Sequence, residues 1–153
     1  PEMLDYPTLL DFPAPRLRAY SRESAVAGKF HAMVQLGMLN SRMKDFFDIW
    51  LLAGTFDFDG QMLSGAVRRT FERRQTRLDD EPICFTQAFA KTPAKQLQWS
   101  VFIRRSHLAG APAEFSRVIE QVRAFLQPLA SFLVQGKDFR THWPPGGPWE
   151  QAQ

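Results

Sequence analysis

The sequence predicts a mainly α-helical protein: a bundle of about five helices preceded by one or two short β-strands. Apolar residues recur every three to four positions through most of residues 21–135, which is the period of a helix with one buried face. Helix-start signals, Ser21 and the pair Thr92-Pro93, precede two of these stretches. Residues 1–20 instead combine short apolar stretches with prolines, as strands and turns do.

The composition is that of a single globular domain. The chain has 153 residues, of which 44% are hydrophobic and 23% charged, enough for a core and too apolar for a disordered protein. No apolar stretch approaches the roughly 18 residues of a membrane span, and no signal peptide is recognisable. Cys84 is the single cysteine, so we expect no disulfide within the chain and a reducing, cytoplasmic location. The net charge of +3 is compatible with a polyanionic partner.

Two short strands are predicted over residues 3–10 and 17–20, with Pro13 and Pro15 marking the turn between them. Two strands are not stable alone, so they require more sheet or the helices that follow. The opening stretch PEMLDYPT has no initiator methionine, and we interpret the chain as the tail of something longer.

The first two helices are predicted on either side of a break at Asn40 and Ser41. Ser21 can accept a hydrogen bond from a first-turn N–H, and Glu23 suits the positive end of the helix dipole. The core-facing stripe of the first helix consists of Val26, Phe30, Met33, Val34 and Gly37. The second helix is predicted over residues 42–54.

A loop is predicted over residues 56–60, followed by a third helix over residues 61–74. The apolar positions of that helix are spaced four residues apart, at Leu63, Val67 and Phe71. Residues 76–85 show no period and are predicted to be irregular.

The fourth helix is predicted to begin at Pro93, because proline at the first helical position loses no needed N–H. Leu97 and Val101 are expected to face inward, together with Trp99 or Phe102.

The fifth helix is predicted to open at Pro112, and Pro128 is expected to kink or break it before residues 129–134. Its predicted stripe consists of Phe115, Val118, Ile119, Val122, Phe125 and Leu126.

The predicted organisation has three parts. Residues 1–20 form the strands, residues 21–135 form a helical bundle domain, and residues 136–153 form a tail. The tail is rich in proline and glycine and has no hydrophobic period, so we expect it to be loose.

Lys29 is the first candidate site residue. It follows Gly28 in a helix of small and apolar residues, and a lysine beside a small neighbour can bind a phosphate. The alternative is a solvated lysine whose stem covers the core.

The second candidate is the charged start of the helix at residues 42–54. Arg42, Asp45 and Asp48 follow at three-residue spacing, and Lys44 lies on another side. Two carboxylates so close repel each other unless a cation lies between them, which Arg42, a lysine from elsewhere or a metal could supply. The alternative is a helix start that the acids stabilise through the dipole.

The third candidate is the arginine-rich segment of residues 68–77. Such a segment can bind a nucleic-acid backbone, and it can equally be a solvated helix face. Its candidate nucleic-acid-binding residues are Arg68, Arg69, Arg73 and Arg74. The three histidines, by contrast, show no metal-ligand spacing.

Two segments, RESAVAGKFHAM and SRMKDFFDIWLL, resemble the third and fourth motifs of the nucleotidyl transferase AbiEii/AbiGii toxin family. Those motifs read roughly E-x-x-x-A-x-K-L-x-A-L and R-x-K-D-x-x-D-L-x-x-L. The positions that fit are Glu23, Ala27, Lys29, Ala32, Met33, Arg42, Lys44, Asp45, Asp48, Ile49 and Leu52. The resemblance covers about residues 1–60, and the later helices fit only as a generic bundle.

The resemblance implies the C-terminal part of an α+β nucleotidyltransferase. Such an enzyme transfers a nucleotide from an NTP to an RNA acceptor such as tRNA and acts as a toxin beside an antitoxin encoded nearby. Lys29 would then contact the triphosphate, and Asp45 would be the catalytic or lysine-positioning acid. Further substrate-binding residues would be Glu23, Arg42, Lys44 and Asp48.

The chain departs from the family pattern in its metal-binding half. The family holds Mg²⁺ on a D-x-D pair beside a Gly-Ser loop, and neither occurs upstream of Lys29. The segment Asp57-Phe58-Asp59 matches the D-x-D pattern but follows the fourth motif, so we interpret the match as coincidence. We therefore expect Mg²⁺ for a full-length family member, no metal bound by this chain alone, and no transfer activity from it. Gly28 also replaces a residue that is often acidic in the family.

Two functions stay open from the sequence. The first is the C-terminal part of a nucleotidyltransferase toxin. The second is a non-catalytic helical module that binds RNA or a partner protein through residues 68–77.

Overall fold

Helices dominate the part of the chain that the computed structural model describes, residues 21–108 and 110–151. Within those residues there are six α-helices: α1 (Arg22–Leu36), α2 (Met43–Thr55), α3 (Gly60–Arg73), α4 (Gln87–Ala90), α5 (Pro93–Ser106) and α6 (Phe115–Val134). Three short strands form one antiparallel sheet: β1 (Phe58–Asp59), β2 (Thr141–Trp143) and β3 (Glu150–Gln151). The mainly α fold class is confirmed. The strands predicted within residues 1–20 lie outside the described residues.

Helix α1 forms as its end signals predict. The Ser21 hydroxyl accepts a hydrogen bond from the Ser24 N–H at 3.0 Å, and the helix ends at Gly37, whose φ of +54° suits glycine. Its buried stripe packs against α3, where the Phe30 and Phe71 rings lie 5.5 Å apart. Helices α1 and α3 therefore form one pair of the bundle.

Helix α6 supplies the longest core-facing stripe, and it begins at Phe115 rather than at the predicted Pro112. Phe115 packs edge-on against Phe46 of α2 at 5.3 Å. Further along the helix, Phe125 contacts Phe58 of β1 at 5.0 Å. The predicted stripe of α6 is buried throughout, so this helix forms one side of the core.

The expected break at Pro128 is wrong, because α6 continues through it to Val134. A proline in a helix leaves the carbonyl four residues earlier without its partner, and that residue, Ala124, is exposed to solvent. Buried Leu129 and Ala130 extend the apolar stripe beyond the proline. Packing on the core thus favours the continued helix.

Helix α5 starts at Pro93 as predicted, but its orientation differs from the prediction for Leu97. Leu97 is 66% exposed, whereas Trp99 is fully buried. The Trp99 indole N–H donates to the Pro112 carbonyl at 2.8 Å, and its ring packs on Phe115. Trp99 therefore defines the inward face, and Leu97, two residues earlier, lies on the opposite side of the helix because two residues rotate by about 200°.

The loop predicted over residues 56–60 is partly a strand. Phe58 and Asp59 pair with Trp143 and His142 of β2, and α3 follows at once from Gly60. The pairing depends on a partner more than 80 residues away along the chain, so the local sequence carries no signal for it. Residues 76–85 are irregular except for a 3₁₀ turn at Ile83–Phe85.

The proline- and glycine-rich tail, expected to be loose, instead packs on the bundle. Trp143 is 1% exposed, and its indole N–H donates to the Ala53 carbonyl at 2.7 Å. The Trp149 ring stacks on Phe125 at 5.8 Å. Trp143 and Trp149 therefore anchor this segment on the core, although its sequence has no hydrophobic period.

Candidate functional site

Lys29 of α1 lies between two carboxylates of α2. Its Nζ atom is 2.7 Å from Asp48 Oδ2 and 3.6 Å from Asp45 Oδ1. The Asp48 side chain is fully buried, while that of Lys29 keeps 14% of its surface exposed. The sequence predicted that a cation lies between these carboxylates and named Arg42, a lysine from elsewhere or a metal as candidates. In the structure, a lysine from another helix, Lys29, contacts both.

Arg42 provides a second cation to the same carboxylate pair. Its Nε atom lies 3.1 Å from Asp45 Oδ2, on a side chain that is 61% exposed. Asp45 is thus shared between a nearly buried lysine and a solvated arginine. Such an arrangement holds the lysine in place and still leaves cationic groups at the surface.

The start of α2 is fixed from α5 by Lys95, a residue that the sequence did not single out. The buried Lys95 ammonium donates to the Asn40 carbonyl at 2.6 Å, and Asn40 Oδ1 accepts from the Arg42 N–H at 2.8 Å. Burial lowers the pKa of Lys95 because it disfavours the charged form. Nothing in the local sequence around Lys95 signals this role, because the contact spans 55 residues.

The mixed charges at the start of α2 follow from its position in the bundle. Phe46 and Ile49 are fully buried and anchor the helix. The first two turns meet α1, so Asp45 and Asp48 face Lys29 there rather than solvent. Asp45 in this turn also suits the helix dipole.

A cavity of about 870 Å³ opens beside these charges, a volume in the range of small-ligand sites. It lies between the start of α2 and one face of α5. Its lining residues are Lys29, Ser41, Arg42, Met43, Lys44, Asp45, Leu97, Gln98, Val101, Phe102, Arg105 and Ser106. Four cationic side chains and one carboxylate are among them, so the cavity favours an anionic ligand.

The structure brings most of the predicted substrate residues to this cavity. Lys29, Arg42, Lys44 and Asp45 line it, and Asp48 lies behind Lys29 in the core. Glu23, in the first turn of α1, is not among the lining residues. The roles predicted for these residues stay predictions.

The wall formed by α5 was missed by sequence reasoning. Leu97, Gln98, Val101, Phe102 and Arg105 share one face of the helix and line the cavity. A signal was present, since positions spaced one, four, five and eight residues apart lie together on a helix. The same spacing predicted a core-facing stripe for Leu97 and Val101, but both keep solvent contact.

The arginine-rich segment lies apart from that lining. Arg68, Arg69, Arg73 and Arg74 at the end of α3 are all exposed, and none of the four forms an ion pair with another described residue. Cations at this end of a helix are also stabilised by its dipole. The structure therefore leaves this surface available to a polyanion without identifying one.

The described residues do not fit a resident Mg²⁺ ion. No cluster of three or more potential ligands occurs among them. The carboxylates of Asp45 and Asp48 already face two cations, Lys29 and Arg42. In the segment that matches the D-x-D pattern, Asp59 caps a helix by accepting from the Met62 N–H at 2.9 Å. Asp57 pairs with His142 at 3.3 Å. Both carboxylates therefore have partners within the protein.

The geometry thus presents a lysine, fixed by two acids, at the edge of a cationic cavity with one apolar wall. Among the described helices, none combines the length and hydrophobicity needed to cross a membrane.

Comparison with known proteins identifies the family. The family model described as "Nucleotidyl transferase AbiEii toxin, Type IV TA system" matches residues 1–127, which include the whole α2 motif, the cavity and the arginine-rich segment. Searches of curated proteins and of solved structures each returned no match.

Proposed function

This chain belongs to the AbiEii nucleotidyl transferase toxin family of type IV toxin–antitoxin systems, and from that premise we propose that its cavity binds the triphosphate of an NTP. In the complete reaction the nucleotide is transferred to the 3′ end of an RNA such as tRNA. The oxygen of the 3′ hydroxyl bonds to the α-phosphorus and gives up its proton to solvent. The bond from the α-phosphorus to the oxygen that it shares with the β-phosphorus breaks, and pyrophosphate leaves.

The position of Lys29 is the observation that supports this proposal best. Asp45 and Asp48 hold its ammonium group at 3.6 and 2.7 Å, and the same residue lines the cavity. Phosphoryl and nucleotidyl transfer depends mainly on positioning and charge stabilisation. A lysine oriented in advance by buried acids offers both.

Asp45 has the geometry of a positioning acid. One of its oxygens faces Lys29 and the other lies 3.1 Å from Arg42. We propose that it orients both cations toward the phosphates. Arg42 and Lys44 at the rim then add positive charge where the triphosphate enters.

The RNA acceptor is proposed to contact the exposed arginines at the end of α3. Arginine pairs with phosphate through two parallel hydrogen bonds, and four exposed arginines within seven residues offer several such contacts. Membership in a toxin–antitoxin family also implies an antitoxin partner.

Transfer activity is not expected from these 153 residues alone. The sequence has no Gly-Ser loop and no D-x-D pair ahead of Lys29. The carboxylates of Asp45 and Asp48 face Lys29, and that of Asp59 caps a helix. We therefore propose nucleotide binding without turnover for this chain.

Calorimetric titration with NTPs in Mg²⁺ buffer tests the proposal. Replacing Lys29 by methionine removes the phosphate ligand, but it also removes the cation that faces buried Asp48, at a cost of about 3–5 kcal/mol in stability. The double variant Lys29→Met/Asp48→Asn removes both charges and keeps the volume. We expect the wild type to bind and the double variant to bind about tenfold more weakly or worse.

Lys91→Met is the matched control, because Lys91 is exposed and does not line the cavity. Its affinity should equal that of the wild type, and thermal melts should show that every variant is folded. Equal binding by wild type and the folded double variant would remove Lys29 from the phosphate site.

The alternative, a non-catalytic module, predicts a different pattern. RNA binding would then occur without any nucleotide binding, and it would be lost when Arg68, Arg69, Arg73 and Arg74 are changed to glutamine. The exposure of those four side chains is the observation that favours this alternative.

A further inference from the structure

The wall of the cavity opposite the charged start of α2 is apolar and aromatic. Leu97, Val101 and Phe102 of α5 line it, with Gln98 and Arg105 on the same helix face. An inorganic anion needs only the cationic side. An apolar wall across from a cationic one instead suits a ligand with a polyanionic end and a flat ring.

Phe102 is held in a fixed orientation by its neighbours. Its ring lies 5.5 Å from that of Trp99 and 6.1 Å from that of Phe47. Trp99 is itself fully buried and hydrogen-bonded to the Pro112 carbonyl. An aromatic ring that is fixed before the ligand arrives loses little conformational entropy on stacking.

Gln98 carries a polar atom that lacks a partner. Its Oε1 atom is shielded from solvent and accepts no hydrogen bond from any described residue, yet the side chain lines the cavity. Buried polar atoms are nearly always hydrogen-bonded, so a rotation of this amide toward the cavity would let the oxygen accept from an N–H donor that a ligand brings. Every nucleobase offers such a donor, and glutamine amides read base edges elsewhere.

From these three features, and resting on the proposed function, we infer that the α5 wall is the nucleobase subsite: Phe102 stacks on the base and Gln98 reads its edge. The phosphates then lie toward Lys29, Arg42 and Lys44 on the other wall. The choice of nucleotide is therefore made by α5, outside the two sequence motifs.

Titration with four NTPs and with inorganic tripolyphosphate, which has no base, tests this inference. Phe102→Leu should weaken all four NTPs roughly tenfold, because stacking is tolerant of base identity. Gln98→Leu should weaken the preferred NTP most and so flatten the ranking of the four. Both variants should bind tripolyphosphate within about twofold of the wild type.

Arg104→Gln is the matched control. Arg104 lies on α5 next to Arg105, but it borders a different, smaller depression with Ser100, Ile103, His107 and Leu108. Its NTP ranking should equal that of the wild type. Thermal melts of all variants separate a local effect from unfolding. Gln98→Met, which keeps the length of the side chain and removes the acceptor oxygen, provides a second variant at that position and should flatten the ranking as Gln98→Leu does.

The outcomes separate the two proposals. If tripolyphosphate and NTPs bind equally well, and the folded α5 variants change neither, the phosphate site stands and the base subsite is overturned. If the wild type binds neither probe, the proposed function fails and the base subsite fails with it.

Discussion

At the scale of single residues, the contact between Lys29 and Asp48 serves both the stability of the fold and the proposed function. A carboxylate with no exposed surface is costly to bury unless a cation faces it. Lys29 meets that need at 2.7 Å and still reaches the cavity. The same ion pair therefore stabilises the packing of α1 on α2 and orients the proposed phosphate ligand.

His31, two residues after Lys29, is a second buried polar residue with a consequence for stability. It is 1% exposed, and its Nε2 atom lies 2.7 Å from the Thr76 hydroxyl. Burial, with a smaller contribution from the positive charge of Arg74, lowers the pKa of His31 below its usual 6.5. Nδ1 has no hydrogen-bond partner among the described residues, so protonation would add a buried N–H without an acceptor.

We predict that the free energy of unfolding falls as the pH drops below about 6.5. There the unfolded chain takes up a proton at His31 while the folded chain resists it, so the unfolded state binds more protons. The stabilisation is complete above the unfolded pKa. It is lost, at up to about 1.4 kcal/mol per pH unit, as the pH falls from the unfolded pKa to the lower folded pKa. Urea unfolding of wild type and His31→Gln at several pH values measures the difference.

The control for this prediction is His107→Gln, because His107 is exposed at the end of α5. His107→Gln should keep the pH dependence of the unfolding free energy seen in the wild type. In His31→Gln, the unfolding free energy should depend less on pH. Identical slopes for wild type and His31→Gln would show that other groups cause the acid sensitivity.

At the scale of elements, α6 shows how packing outweighs a local helix breaker. Pro128 lies inside the helix, and the carbonyl it leaves without a partner belongs to exposed Ala124, where water can satisfy it. Buried Phe125, Leu126 and Leu129 on either side keep the helix on the core.

We predict that Pro128→Ala stabilises the protein by about 1–3 kcal/mol, because it restores an N–H donor and removes a ring that crowds the preceding turn. Thermal or urea unfolding measures the change. Glu120→Ala, at an exposed position of the same helix, controls for the general helix preference of alanine. A loss of stability in Pro128→Ala would mean that the ring makes packing contacts worth more than the restored hydrogen bond.

At the scale of the whole molecule, the C-terminal tail packs against α6 and against β1, which lies far from it in the sequence. Strand β2 pairs with β1, and the buried Trp143 ring packs 4.9 Å from Phe125. Gly147 has a positive φ and lies so close to the same indole that a Cβ there would overlap the Trp143 ring. Glycine is thus required at this approach.

We predict that Trp143→Ala costs about 3–5 kcal/mol of stability and releases the tail. Limited proteolysis should then cut within residues 136–151, whereas the wild type stays protected there. Glu150→Ala, an exposed change in the same segment, should leave both properties unchanged. A protected tail in a destabilised Trp143→Ala variant would show that Trp149 alone holds the segment.

The sequence predicted the helices well because their signals are local. The apolar period, the Ser21 cap and Pro93 at a helix start each act within a few residues of themselves. The two motifs likewise pointed to Lys29, Asp45 and Asp48 as a group, and the match of the family model to residues 1–127 agrees with the resemblance they carry.

Tertiary structure decided the features that join distant parts of the chain. It selected Lys29 as the cation facing the two acids, used α5 as the second wall of the cavity, and placed Trp143 on the core. The physical reason is the same in each case. Packing of one element on another fixes these contacts, and the period of a single helix or strand carries no information about its partner.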